Sequence, residues 1–118
     1  MTSVLVVDDE PAIVQFIGGA LEDEGYAVTT AGDGQEAVEA ATRDKPDLIV
    51  LDMALPRLDG QGVAAEIRRL YGDLPIVVIT ADGRAEEKAA RAGAIGYLHK
   101  PFDLDRLIMM VQEQVRPG

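Results

Sequence analysis

Short apolar runs alternate with longer amphipathic segments along the whole chain. Five runs of four or five residues are aliphatic, often β-branched and mostly free of polar residues, which is typical of strands covered on both faces of a parallel sheet. They are Val4 to Val7, Tyr26 to Thr30, Leu48 to Leu51, Ile76 to Ile79 and Ile95 to Leu98. The second run ends in two threonines, which predicts a strand at an edge of the sheet.

Between these runs, apolar residues recur at helical spacing. The first and last helices are the clearest, with the sets Ile13, Phe16, Ile17, Ala20, Leu21 and Leu104, Leu107, Ile108, Val111, Val115. Weaker patterns predict three middle helices at Gln35 to Thr42, Gln61 to Leu70 and Arg84 to Ala92. Turn residues agree with these limits, since Asp33-Gly34 and Asp59-Gly60 precede helices while Gly25 and Gly93 follow them.

Five consecutive strand–helix units with right-handed crossovers predict a doubly wound α/β sandwich. In such folds the working site lies at the carboxyl ends of the strands, near the point where the strand order reverses. Asp8 and Asp9 follow the first strand, and Asp52 follows the third. A strand order of 2-1-3-4-5 would bring these three carboxylates together at one edge, where they need not be buried.

Composition narrows the functions that such a fold could have. The 118 residues predict one domain, 1–118, with 116–118 as the chain end or the start of a linker. A net charge of −10 repels phosphate backbones, so we expect no direct nucleic-acid partner. Cysteine is absent, which excludes disulfides and thiolate chemistry. No apolar run is long enough to cross a membrane, and the acidic N-terminus is no signal peptide, so we expect a soluble, cytoplasmic protein.

The three converging carboxylates predict a metal site. Acids in one cleft repel each other unless a cation lies among them, and Mg²⁺ accepts one or two carboxylates while it keeps positions for water and phosphate oxygens. Thr80 ends the fourth strand and Lys100 follows the fifth. A hydroxyl and an ammonium in these places could neutralise the oxygens of a transferring phosphoryl group. Asp52 is then the candidate nucleophile, because carboxylates can form acyl phosphates.

A set of spaced motifs resembles the receiver domain of response regulators in two-component signalling, and the resemblance covers the whole chain. The motifs are Asp8-Asp9-Glu10, LDMALPRLDG around Asp52, ITA at Ile79 to Ala81, and GAIGYLHKPFD from Gly93 to Asp103. The resemblance implies a flavodoxin-like fold with five helices and a five-stranded parallel sheet in the order 2-1-3-4-5. It also implies a phosphoprotein that catalyses its own phosphorylation and slow dephosphorylation, without turnover of an external substrate.

The resemblance implies a role for each residue around Asp52. Asp52 would accept the phosphoryl group from a histidine kinase or a phosphotransfer protein. Mg²⁺ would be coordinated by Asp9, Asp52 and the Ala54 carbonyl, and Asp8 would help to hold it through bound water. Ala54 and Asp82 stand at positions that flank the path of attacking water in the family, so the lifetime of the phosphorylated state stays open.

The resemblance also implies a conformational switch. Thr80 would hydrogen-bond the phosphoryl oxygen, Lys100 would pair with it, and Tyr97 would turn inward as Thr80 moves; Lys100-Pro101 would be a cis peptide. Phosphorylation would favour one of two existing arrangements of the last two strand–helix segments. The face made by the fourth helix, fifth strand and fifth helix would be read by a partner, by a second copy in a homodimer, or by an output domain that is missing here.

Simpler explanations exist for each motif taken alone. The acids before Pro11 could do no more than complement the dipole of the first helix, and Asp52 could simply cap the next turn. Lys100 could be a solvated charge and Tyr97 a half-buried strand aromatic. His99 we interpret as a surface residue.

Three other classes share this architecture. A flavodoxin-like cofactor binder needs a phosphate-cradling loop after the first strand, where this chain has DDEP. A phosphatase with an aspartyl nucleophile needs a cap for which 118 residues leave no room. A receiver that has lost phosphorylation is disfavoured because every expected reactive group is present.

Gly18 and Gly19, which cost the first helix about 1 kcal/mol each relative to alanine, have no functional explanation from the sequence.

Overall fold

A computed structural model, which describes all residues from 1 to 118, contains five strands and five helices that alternate along the chain. The strands are β1 (Ser3–Val7), β2 (Ala27–Ala31), β3 (Leu48–Asp52), β4 (Ile76–Thr80) and β5 (Gly96–His99). The helices are α1 (Pro11–Asp23), α2 (Gly34–Arg43), α3 (Gly60–Tyr71), α4 (Ala85–Ala92) and α5 (Leu104–Gln114). The five predicted strands and five predicted helices are confirmed, with β2 and β5 displaced by one residue toward the C-terminus.

All five strands are parallel and form one sheet in the order β2-β1-β3-β4-β5. This order confirms the predicted flavodoxin-like topology, in which the strand order reverses between β1 and β3. It also confirms that the strand with two threonines lies at an edge, where Thr29 and Thr30 are exposed.

Two hydrophobic cores lie on opposite faces of the sheet. In β1, Val4 and Val6 belong to the core shared with α1 and α5, whereas Leu5 and Val7 belong to the core shared with α2, α3 and α4. The alternation follows from the strand period of two, and it explains why the central strands carry apolar residues at nearly every position. Each fully buried aliphatic side chain contributes about 1.5–3 kcal/mol.

Aspartates cap the N-termini of three helices. Asp33 Oδ1 accepts a hydrogen bond from Glu36 N at 2.8 Å at the start of α2, and Asp59 does the same for α3. Asp103 caps α5. Such a cap stabilises a helix by about 1 kcal/mol. By contrast, Glu10 precedes α1 and makes no side-chain capping bond, so capping does not account for the acids before Pro11.

Strand register brings the carboxyl ends of the central strands to one level. Val7 pairs with Leu51, so the residues that follow them, Asp8 and Asp52, emerge next to each other. On the other side of β3, Asp52 pairs with Ile79. The chain after β5 is tied to the same edge, because Lys100 N donates to the Thr80 carbonyl at 2.7 Å.

Two adjacent glycines lie in α1 where this helix packs against β2. A Cβ added at Gly18 would approach only Val28 Cγ1, at 3.4 Å, and a Cβ added at Gly19 would meet nothing within 4 Å. Neither glycine has a positive φ. Packing within the domain therefore does not require glycine at either position, although each costs about 1 kcal/mol relative to alanine.

Candidate functional site

An ammonium group lies between the carboxylates that follow β1 and end β3. Lys100 Nζ is 2.8 Å from Asp8 Oδ2 and 3.5 Å from Asp52 Oδ2. Glu10 Oε1 approaches the same nitrogen to 3.6 Å. Lys100 exposes 14% of its side chain, Asp8 none and Asp52 4%, so the charges face each other largely out of contact with water.

Burial of these carboxylates corrects the expectation that the strand-end acids need not be buried. Asp8 and Asp52 are buried, whereas Asp9 is exposed. The difference follows from position: Asp52 still pairs with β4 as the last residue of β3, and Lys100 covers it together with Asp8. Asp9 lies one residue further out, in the loop before α1.

Each buried carboxylate accepts one local hydrogen bond. Asp8 Oδ1 accepts from Glu10 N at 3.0 Å, and Asp52 Oδ1 accepts from Ala54 N at a longer 3.3 Å. Asp8 Oδ2 accepts none, because Lys100 approaches it at ion-pair distance without hydrogen-bond geometry. The ion pair with Lys100 compensates the charge of this buried oxygen instead, so the local turns alone do not satisfy the Asp8 carboxylate.

Burial and neighbouring charges shift the pKa values of Asp52 and Lys100. Burial raises the pKa of Asp52, and the negative charge of Asp8 raises it further, against the opposing effects of the Ala54 N–H and Lys100. For Lys100, burial lowers the pKa, but the contact with Asp8 and the charges of Asp52, Asp8 and Glu10 outweigh burial, so the net shift is upward. The surroundings therefore disfavour a charged Asp52 and favour a charged Lys100.

A group of acidic oxygens lies beside the Lys100 ammonium, on the residues that follow β1. Asp8, Asp9 and Glu10 each place one carboxylate oxygen within 4.8 Å of the others. Oxygen donors of this kind suit Mg²⁺, and Asp8 Oδ2, which accepts no hydrogen bond, can accept one from a water bound to such an ion. The predicted ligand set contained Asp52 and Ala54 instead of Glu10. Asp52 lies outside the group but shares Lys100 with it, and the Ala54 carbonyl accepts no hydrogen bond from the backbone.

The predicted hydroxyl is buried at the same edge of the sheet. Thr80 is 1% exposed, and its Oγ1 accepts a hydrogen bond from Asp82 N at 3.1 Å. Asp82 itself is exposed and pairs with Lys88 Nζ at 3.0 Å. The peptide bond between Lys100 and Pro101 is cis.

The predicted switch residue points away from the carboxylates. Tyr97 is 40% exposed, and its hydroxyl donates to Glu86 Oε2 of α4 at 3.4 Å. Ile95, directly before β5, and Met109, in α5, are also exposed. His99 is exposed, as interpreted from the sequence.

A comparison with protein families decides between the classes that share this fold. The model described as "Response regulator receiver domain" matches residues 4–112. The chain belongs to the response-regulator receiver family. This finding confirms the resemblance seen in the motifs and sets aside the flavodoxin-like cofactor binder and the phosphatase.

Relatives of this receiver are named as regulators. It is 39% identical over 116 residues to the "Probable transcriptional regulatory protein TcrX" of Mycobacterium tuberculosis, covering 97% of this chain and 50% of that protein. It is 43% identical over 115 residues to "Response regulator MprA" of Mycobacterium leprae, covering 96% and 50%. The receiver thus spans about half the length of the curated relatives that it matches.

Solved structures show the same fold. The chemotaxis protein CheY4 of Vibrio cholerae superposes with a TM-score of 0.89 at 34% identity, covering 98% of this chain and 99% of that one. TrrA of Thermotoga maritima, determined in complex with Mg²⁺ and BeF, gives 0.89 at 35% identity, covering 98% and 100%. The receiver domain of NtrX from Brucella abortus gives 0.87 at 39% identity, covering 94% and 96%. None of the five helices combines the length and the hydropathy that a membrane span requires.

Proposed function

We propose that this receiver accepts a phosphoryl group on Asp52 from a histidine kinase or phosphotransfer protein, in a reaction that depends on Mg²⁺. The observation that carries the proposal is the buried ammonium of Lys100 between Asp8 and Asp52. A solvated surface lysine would not be shared by two buried carboxylates, whereas a phosphoryl acceptor needs fixed positive charge beside its nucleophile.

The transfer forms one bond and breaks another. A carboxylate oxygen of Asp52 attacks the phosphorus of a phosphohistidine, the P–N bond breaks, and the imidazole leaves and takes up a proton. Lys100 offsets the charge of the phosphoryl oxygens and, because its pKa is raised, it remains protonated throughout. Thr80 donates its hydroxyl hydrogen to a phosphoryl oxygen, since its Oγ1 already accepts from Asp82 N and retains its own hydrogen.

Asp9, Asp52 and the Ala54 carbonyl hold Mg²⁺ in this proposal, and Asp8 holds it through water. The acidic cluster of Asp8, Asp9 and Glu10, and the buried Asp8 Oδ2 that accepts no hydrogen bond, support a cation at this edge of the sheet. When bound there, Mg²⁺ supplies the positive charge that keeps Asp52 ionised, against the burial and the neighbouring Asp8 that raise its pKa.

Phosphorylation adds negative charge that competes with Asp8 for Lys100. Thr80 moves to hydrogen-bond the phosphoryl oxygen, and Tyr97 turns inward as Thr80 moves. The change shifts the population of the β4–α4 and β5–α5 segments, and the exposed face around Ile95, Tyr97 and Met109 transmits it. The readers of that face are a partner protein, a second copy in a homodimer or an output domain, and the half-length coverage of TcrX and MprA supports the last of these.

A small acyl-phosphate donor tests the proposal without a kinase. The receiver is incubated with the donor, with and without Mg²⁺, and its intact mass is measured. We expect one added phosphoryl group that appears only with Mg²⁺ and is removed by hydroxylamine. Asp52→Asn should prevent it, whereas the control Asp73→Asn, at an exposed loop position, should not.

Two outcomes would contradict the proposal. Equal modification of Asp52→Asn would place the phosphoryl group elsewhere. No modification of the wild-type protein under any condition would leave a receiver that has lost phosphorylation and acts as a binding module.

A further inference from the structure

A groove of about 470 Å³ lies between α1 and the edge strand β2. Its walls are Val14 and Gly18 of α1 and Val28 and Thr30 of β2, and it extends from Asp9 at one end toward Glu22 at the other. Unlike the face around Tyr97, the groove has no role in the proposed conformational change, although Asp8 and Asp9 at one end of it also belong to the proposed Mg²⁺ site.

The groove is open because α1 carries Gly18 and Gly19. The added Cβ at Gly19 would enter open space, and at Gly18 it would only touch Val28. Glycine is a poor helix former, and neither position needs its conformational freedom. The two glycines therefore keep space available beside β2 that ordinary helical side chains would fill.

The open edge of β2 borders the groove. Ala27 N donates to the Thr2 carbonyl, and the Ala31 carbonyl accepts from Asp8 N, so these alternate residues of β2 bond toward β1. By the period of two, the backbone N–H and C=O groups of Val28 and Thr30 point away from the sheet. An edge of this kind can accept a further strand from another chain.

Charge around the groove selects the kind of strand that fits. The first 42 residues, which build β1, α1, β2 and most of α2, contain nine carboxylates and neither lysine, arginine nor histidine. Asp9 and Glu22 line the groove itself. An acidic or neutral segment would gain nothing from this field, whereas alternate basic side chains of an added strand would point toward Asp9 and Glu22.

We propose that the β2 edge and the α1–β2 groove together bind an extended, basic segment of a partner protein by strand addition. Its backbone pairs with Val28 and Thr30, and its lysine or arginine side chains on one face enter the space beside Gly18 and Gly19. A second copy of this receiver does not fit, because its own first 42 residues are equally acidic.

Synthetic peptides test the proposal on the full receiver. The probe is a capped octapeptide of alternating lysine and threonine, and its control is the isomer with four lysines followed by four threonines. Binding is followed by NMR chemical shifts and amide hydrogen exchange. We expect the alternating peptide to bind at least tenfold more tightly than the block isomer and to slow exchange of the Val28 and Thr30 amides at least tenfold.

Variants of α1 separate the groove from general attraction. Gly19→Leu should fold normally, because its side chain enters open space, and should weaken the alternating peptide at least tenfold. Glu22→Gln should weaken it and reduce the salt dependence of binding. Ala65→Leu, which adds the same side chain at an exposed position of α3, should leave binding unchanged.

Several results would overturn the proposal. Equal affinity for the two peptides would indicate attraction by charge alone, and unaltered exchange at Val28 and Thr30 would exclude strand addition. Wild-type affinity in Gly19→Leu would exclude the groove. Self-association of the receiver that Gly19→Leu abolishes would identify a second copy as the occupant.

Discussion

Removal of the shared ammonium should destabilise the receiver in a way that depends on pH. Lys100→Met keeps most of the side-chain stem but leaves Asp8 and Asp52 buried with no cation between them. Breaking a buried ion pair by removing one partner costs about 3–5 kcal/mol. The loss of stability cannot exceed the cost of protonating one of the two buried carboxyls, since protonation removes the unpaired charge. For a carboxyl of ordinary pKa, about 4, this cost is about 5 kcal/mol at pH 7.5 and falls by about 1.4 kcal/mol for each pH unit below that.

The sign follows from the direction of the Asp52 shift. Lys100 lowers the pKa of Asp52, so its removal raises that pKa further above the unfolded value. A carboxyl whose pKa is raised in the folded state contributes stability that is complete below its unfolded pKa and is lost as pH rises through the folded pKa. We therefore expect a loss of about 3–4 kcal/mol at pH 7.5 that shrinks to about 1 kcal/mol at pH 5.

Urea unfolding followed by far-ultraviolet circular dichroism measures these losses. With an m-value of about 1.5 kcal/mol/M, the loss at pH 7.5 lowers the midpoint by about 2 M. Lys45→Met, which removes an exposed ammonium 5.4 Å from the Tyr71 ring centre, is the matched control and should change little. Lys100→Met combined with Asp52→Asn should recover much of the loss. An equal loss at both pH values, or no recovery in the double variant, would refute the electrostatic explanation.

Three further predictions concern packing and hydrogen bonding elsewhere in the domain and are measured by the same unfolding assay. Gly34→Ala should cost about 1–3 kcal/mol, because the new Cβ would collide with the backbone carbonyl of Leu58; no loss would show that this loop moves freely. Gly19→Ala, in open space, should instead stabilise by about 0.5–1 kcal/mol, and a loss there would mean that the helix needs its glycine. Tyr26→Phe should cost about 1 kcal/mol, since it removes the hydroxyl that donates to the Val115 carbonyl at 2.6 Å. Because burial raises the pKa of Tyr26, the wild-type protein should lose stability as pH rises above about 10 and the Tyr26→Phe variant should lose less; parallel pH profiles would contradict this.

Local sequence signals were sufficient for the elements of the fold. Unbroken apolar runs identified the central strands, because both faces of a parallel sheet are buried, and the threonines of β2 identified its exposed edge. Aspartate–glycine pairs located the starts of α2 and α3, where Asp33 and Asp59 form caps. The strand order itself came from the resemblance, since periodicity does not say which strands are neighbours.

Features that depend on distant segments, or on the detailed path of a loop, were outside the reach of the sequence. Burial of Asp8 and Asp52 arises because Lys100, from the far end of the chain, covers both strand ends. Glu10 joins Asp8 and Asp9 through the local path of the loop before α1, which no spacing rule specifies. Arg57 adopts a positive φ of 69° and places its Nε 3.5 Å from Asp33 Oδ2, although arginine has no preference for that conformation. Roles in phosphorylation remain predictions from the motifs.

The division of the interior into two cores has a consequence for how this receiver can change. The sheet separates Val6 from Val7, so a cavity created by a substitution beneath α1 and α5 shares few neighbours with one created beneath α2, α3 and α4. The free-energy costs of two such substitutions should therefore be nearly additive. Substitutions on one side can accumulate without compensation from the other. The domain can thus remodel the surface on one side, for a new partner, while the packing behind the opposite side stays as it is.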